Sequence, residues 1–260
     1  MNVKKVNNAF QESWNLFKYR LDKNKLSHSI FIAGFPKSGS TYLSRILLDL
    51  SGYKDVHLAY NCGRNDQDIY RPYLIKHHSI STFTAHHTRG TDSNIQLLNQ
   101  FHLKPILNVR NIFDVLISYR DHCKSDNTLF AMAYLTDKYF ELAEENQLNL
   151  LIDLVTPWYI NFFVSWYHQA IIEKNIKAHW NTYNELINEP FETVKIASNF
   201  VGLKKSDNEI CEALKNAKSG FTRLNKGIEG RGSIFTDEQK DKVRNFTKYY
   251  PWVDFSKMGL

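Results

Sequence analysis

The stretch Gly34-Phe35-Pro36-Lys37-Ser38-Gly39-Ser40-Thr41 decides the fold. Before it runs Ser29-Ile30-Phe31-Ile32-Ala33, an apolar segment of the length and composition of a buried parallel strand. After it, Leu43, Ile46, Leu47 and Leu50 recur on one helical face, and the pattern stops at Gly52. Glycines at 34 and 39 let the backbone turn tightly and approach a ligand. The N–H groups at a helix start, with the dipole behind them, form an anion site. Lys37 adds a positive charge, and Ser38, Ser40 and Thr41 add hydroxyls. The common nucleotide-binding loop G-x-x-x-x-G-K-[ST] places its lysine directly after the second glycine. Ser40 stands there instead, which disfavours an ordinary ATPase or GTPase.

Working outward, Pro105–Val109 reads as a second buried strand, followed at once by a helical pattern through Ile112, Val115, Leu116 and Tyr119. Arg110 ends that strand, where its planar fork suits a phosphate, and Ser118 lies two helical turns later on roughly the same side. Asn111 suits a helix cap, and Asp114 suits the positive end of the dipole in a structural role. Residues 1–25 read as a helical lead-in, 129–150 and 153–173 as two longer helices, 176–180 as a third strand and 185–200 as a helix. Thr236-Asp237-Glu238-Gln239 has the form of a capping box. Alternating strands and helices imply one α/β domain over 1–260, three layers deep, with a central parallel sheet flanked by helices. Ligands in such folds sit at the carboxyl ends of the strands. Two anion sites on neighbouring units imply a ligand with two separated phosphates.

These residues resemble the sulfotransferases that use 3′-phosphoadenosine 5′-phosphosulfate (PAPS) and release 3′-phosphoadenosine 5′-phosphate (PAP). The family's first motif, Y/F-P-K-S-G-T-T-W, is similar to Phe35–Tyr42, and its second, R-N-P-x-D-x-x-x-S-Y-Y, to the stretch from Arg110 onward. Ile112 replaces the proline and Arg120 the last tyrosine. The resemblance covers about 29–255 and implies a P-loop-like fold. It implies that Lys37, Ser38, Gly39, Ser40 and Thr41 hold the 5′-phosphosulfate, that Arg110 and Ser118 hold the 3′-phosphate, and that Tyr42 and Tyr183 lie near the adenine. The family's R-K-G-x-x-G is similar to Asn225–Gly230, which brings in Lys226 and Gly227; Asn225 replaces the arginine, with Lys226 or Arg231 as possible substitutes. Its dimerisation motif is matched at Thr236, while Gly232 stands where a lysine belongs, so the oligomeric state stays open.

An acceptor hydroxyl or amine must lose a proton, and histidine suits that work near neutral pH. The family's base ends a strand about 22 residues before the second-motif arginine; His86 and His87 lie 24 and 23 residues before Arg110. Strand alternation sends them to opposite faces, so one of the two is the candidate, with the count slightly favouring His87. His122 is the next candidate, and His77 and His78 read as a loop or acceptor-pocket feature. The aromatic-rich stretch from Tyr134 to Tyr167 reads as core or as the lining of an apolar pocket.

The rest of the composition bounds the partners. A net charge of +6 without a run of five Lys or Arg argues against nucleic acid and is compatible with an anionic ligand. The polar start and the lack of about 18 consecutive apolar residues point to a cytoplasmic protein with no membrane span. The three cysteines (Cys62, Cys123, Cys211) indicate neither a disulfide framework nor a metal site. The acceptor remains open among small molecules, lipids and saccharides. Two other functions compete. A small-molecule kinase would want a lysine at 40 and Mg²⁺ ligands, and a non-catalytic nucleotide-binding protein would need neither Lys37 nor a histidine beside the loop.

Overall fold

A computed structural model describes residues 3–22, 28–60, 67–126, 132–219 and 230–260. The chain opens with α1 (Val3–Asp22), β1 (Ser29–Gly34) and α2 (Ser40–Ser51), then β2 (Lys54–Asp55), α3 (Arg71–His77) and β3 (Thr82–His86). There follow α4 (Asp92–Gln100), β4 (Pro105–Val109), α5 (Ile112–Asp126), α6 (Asp137–Glu141), α7 (Glu144–Leu154) and α8 (Thr156–Tyr167). A π-turn at His168–Ile172 leads to β5 (His179–Thr182), α9 (Tyr183–Asn188), α10 (Pro190–Phe200), α11 (Asp207–Ser219) and α12 (Asp237–Asn245).

Among the described residues the five strands form one sheet in the order β2-β3-β1-β4-β5, every pair parallel. The alternation along β1 explains the three layers. Ile30 and Ile32 join a core with Leu43, Ile46 and Leu47 of α2, Val194 and Ala197 of α10 and Ile210 of α11. Phe31 and Ala33 point the other way, into a larger core with Val115 and Leu116 of α5, Leu151 of α7 and Phe162 and Trp166 of α8. From β1 the chain winds to β2 and β3 on one side, then returns to β4 and β5 on the other. The glycine loop after β1 therefore sits at the switch point, between the carboxyl ends of β3 and β4.

Several boundaries differ from the periodic reading. The third strand runs 179–182 rather than 176–180, because the π-turn carries the α8 winding on to Ile172, and Ile176 fills the core ahead of the strand. The helix expected at 185–200 is two. Thr182 and Glu185 form a capping box that starts α9 earlier, and Pro190, which lacks an N–H, opens α10. Of the helix expected at 129–150, residues 129–131 lie outside the described residues, and the rest holds α6 and α7, separated at Leu142 and Ala143. The one expected at 153–173 is α8, which starts after Val155, with the π-turn. The Glu144–Ile172 stretch is long and apolar enough to pass for a bilayer span, but 56% of its 18-residue apolar window lies inside the protein, where it forms core. Within the aromatic stretch Tyr159, Phe162, Phe163 and Trp166 are fully buried and belong to the larger core, while Tyr134 is exposed.

Asn111 caps α5 as its position implied, its Oδ1 accepting from the N–H groups of Phe113 and Asp114 at 3.0 and 3.4 Å. Asp114 does more than face the dipole. Buried, it accepts from the Gly230 N–H at 3.1 Å and the Gly232 N–H at 2.8 Å, so it ties the C-terminal part of the chain to the start of α5. Replacing Asp114 by Ala leaves the buried Gly232 N–H without its charged acceptor and frees the Gly230 N–H, and should cost about 1.5–3 kcal/mol. Urea unfolding of the variant checks this; an unchanged midpoint would mean the tie carries no stability.

Candidate active site

The loop after β1 is held by side chains of β4 and α8 and by Arg110, the residue that follows β4. Asn108, in the middle of β4, donates from Nδ2 to the Ser38 carbonyl at 2.6 Å and to its Oγ at 3.2 Å. The Ser38 hydroxyl in turn donates to the Phe35 carbonyl at 2.8 Å, so this side chain shapes the loop from inside. From α8, the Tyr159 hydroxyl donates to the Pro36 carbonyl at 3.1 Å. Just past β4, Arg110 Nη1 donates to the Lys37 carbonyl at 3.1 Å. Lys37 sits at φ 69°, a left-handed backbone uncommon for a residue with a side chain, and these bonds on both sides of it hold it there. Gly39 follows at φ 82°, and a Cβ there would meet the Tyr183 ring at 2.9 Å. It is the N-cap of α2 and brings no side-chain cap, so the first N–H groups of that helix face the loop. Ser40 and Thr41 occupy that first turn, while Tyr42 is buried on the core face of α2.

Arg110 is buried beside the loop. Its guanidinium carbon lies 3.7 Å from the centre of the Tyr183 ring and Nη2 lies 3.9 Å from Asp114. Ser118, also buried, is one and two turns further along the same helical stripe from Asp114 and Arg110. Arg231 pairs with Asp121, one turn beyond Ser118. Lys37, Ser38, Gly39, Arg110 and Tyr183 are therefore brought together by these contacts. Lys226 and Gly227, like Asn225, lie outside the described residues.

The two histidines at the end of β3 are in different environments. His86 is buried; its Nε2 accepts from the Leu58 N–H at 2.9 Å, so its proton sits on Nδ1. Its ring meets His57 edge-on at 4.2 Å between centres. Burial, with His57 and His87 adding to it, depresses its pKa to about 3. His87 lies one residue past the strand, where the Gln67 side chain accepts from its backbone N–H at 2.7 Å. Its Nδ1 is 2.7 Å from the Gly34 carbonyl, which can only accept, so Nδ1 carries the proton and Nε2 the lone pair. Burial lowers its pKa below the usual value of 6.5, against the opposing bond to Gly34. Beside it opens a groove of about 720 Å³ whose walls include Ser40, Thr41, Ser44, Arg45, His57 and His87. His78 instead caps α3, its Nδ1 donating to the Ile75 carbonyl, and His122 lies along α5. Among the described residues no three of His, Cys, Asp and Glu cluster as metal ligands.

A sequence model described as the sulfotransferase domain matches residues 27–248. The chain belongs to the sulfotransferase domain family. Its fold is similar to mouse sulfotransferase SULT7A1 complexed with PAP, at 17% identity and a TM-score of 0.61, over 88% of this chain and 86% of that one. It is also similar to retinol dehydratase in complex with androsterone and inactive cofactor PAP, at 14% identity and 0.56, over 90% and 88%. No curated protein sequence matches the chain significantly.

As a sulfotransferase domain, the chain carries site residues that periodicity did not flag: Asn108, Tyr159, Gln67 and Leu58. Asn108 left a trace, as the one polar residue inside Pro-Ile-Leu-Asn-Val. Gln67 and Leu58 left none, because a loop residue and a backbone N–H carry no pattern.

The His86 environment predicts a pH effect on stability. An imidazole in the unfolded chain takes its proton near pH 6.5, whereas the folded one resists to about 3, so stability falls as pH drops through that window. Between pH 7 and 5 the loss due to His86 should be about 2 kcal/mol. Urea melts of wild type and His86→Gln at both pH values measure it; an equal loss in the variant would assign the effect elsewhere.

Proposed function

We propose that this sulfotransferase uses PAPS as donor and transfers its sulfuryl group to a hydroxyl or amine acceptor, releasing PAP. The observation that carries the reading is the coupling of two anion sites through one residue, Arg110, whose guanidinium bonds the Lys37 carbonyl while lying over Tyr183. The residues present fit the donor. The N–H groups of Ser40 and Thr41 at the start of α2, with Lys37, would hold the 5′-phosphosulfate. Arg110 and Ser118 would hold the 3′-phosphate, with Tyr42 and Tyr183 near the adenine and Lys226 and Gly227 completing the nucleotide site. The PAP bound in the two similar structures supports this donor.

Positioning and charge stabilisation do most of the work in such transfers. The acceptor oxygen or nitrogen bonds to sulfur as the bond from sulfur to the 5′-phosphate oxygen breaks. The electron pair of that bond leaves with the phosphate, where Lys37 offsets the charge. The acceptor proton passes to Nε2 of His87, the nitrogen left with a lone pair by the bond to Gly34. His86 holds Leu58 and stays neutral. The groove beside His87 admits the acceptor from the α2 side. Ser40 stands where a kinase loop carries its lysine, and the charge sits at Lys37 instead, which weighs against a kinase.

In an assay with labelled PAPS and an acceptor found by screening, Lys37→Ala and His87→Ala should each lower turnover by about 10²–10⁴-fold. His87→Ala should leave PAP affinity almost intact, and His86→Ala should act mainly through stability. The acid limb of kcat/KM should fall with a midpoint below 6.5, because the base must be neutral and burial depresses it. Turnover of His87→Ala within a few-fold of wild type would remove His87 from the chemistry.

A further inference from the structure

The helix α1 lies ahead of the family match, which begins at residue 27, and nothing in the transfer chemistry uses it. It is held on the body by one face. Leu16 and Tyr19 pack against the larger core, and the Tyr19 ring stacks on Phe101 at 5.2 Å and meets His78 edge-on at 5.4 Å. The Tyr19 hydroxyl also accepts from Gln100 at 3.2 Å. At 100° per residue the opposite face holds Phe10, Trp14, Phe17 and Leu21, spaced four, three and four residues apart. These four are 72%, 46%, 51% and 68% exposed. A helix with apolar residues on both sides has two things to bury, and the fold covers one.

The charges flanking the outward stripe say what covers it. Lys18 lies on one flank, its ammonium 5.4 Å from the centre of the Trp14 ring, and Arg20 lies on the other, both exposed. Glu12, the acidic residue between positions 10 and 21, is on the body side, near enough to act on Tyr70. The outward face is thus apolar with a cationic rim, the pattern of a helix lying in a lipid–water interface, with its apolar side chains among the acyl chains and its cations at anionic headgroups. A second copy suits it less well. The stripe spans under two heptads where a helix pair needs three or four, and parallel pairing would set cationic rim against cationic rim.

We propose that α1 docks the protein onto an anionic membrane surface through Phe10, Trp14, Phe17 and Leu21, with Lys18 and Arg20 at the headgroups. The full chain is to be sedimented with phosphatidylcholine vesicles with and without phosphatidylglycerol, alongside Phe17→Glu and Lys18→Ala/Arg20→Ala. Circular dichroism melts confirm that each variant folds. Wild type should bind the anionic vesicles roughly tenfold more tightly than the neutral ones, the double variant should lose most of that preference, and Phe17→Glu should stay in the supernatant. Wild type that fails to sediment with either vesicle overturns the proposal. So does a dimer in light scattering that Phe17→Glu dissociates, which would assign the stripe to a second copy. Neither outcome bears on the transfer reaction, because α1 contributes no residue to it.

Discussion

The structure of the site depends on one buried cation. Arg110 stands at the end of β4, where a guanidinium without anionic or aromatic company would be costly. Its company comes from three directions: the Lys37 carbonyl of the phosphate loop, the Tyr183 ring after β5, and Asp114 on α5. Asp114 then reaches Gly230 and Gly232, so the same cluster fixes the return of the C-terminal segment. Removing the guanidinium would disturb the loop, the aromatic wall and the C-terminal tie together. That coupling is why a strand-end arginine can shape a loop belonging to the neighbouring strand.

The second constraint is the left-handed residue in the loop. Lys37 at φ 69° is held between the Tyr159–Pro36 bond on one side and the Asn108–Ser38 bonds on the other. Local strain of this kind costs of order 1–3 kcal/mol and lasts only when the surroundings over-determine it. Here they do. On the far side of β1 the same logic divides the histidines. His86 spends its lone pair on the Leu58 N–H, while His87 spends its proton on Gly34 and keeps a lone pair toward the groove.

Much of this was legible in the sequence because it is periodic or punctuated. The apolar run at 29–33, the loop glycines and the helical face ending at Gly52 all appear in the structure, with Gly52 at φ 62° closing α2. The capping box at Thr236 and the cap at Asn111 are local chemistry and were equally readable. What was not legible depends on partners distant in sequence. Periodicity cannot tell that Tyr159 reaches across 123 positions to Pro36, or that Asp114 serves two glycines more than a hundred residues away. The different surroundings of His86 and His87 were beyond it for the same reason, since each ring bonds a backbone group on another segment. The third strand moved because a π-turn, which has no sequence signature at this scale, displaced it.

The central claim is that the site reads a nucleotide by two separated phosphates, and calorimetry on the unmodified protein tests it most directly. Without metal, in the presence of a chelator, PAP should bind more tightly than adenosine diphosphate by on the order of 10–100-fold, the worth of one charge-assisted bidentate contact. Equal affinities, or binding of the diphosphate that appears only when Mg²⁺ is added, would contradict the account.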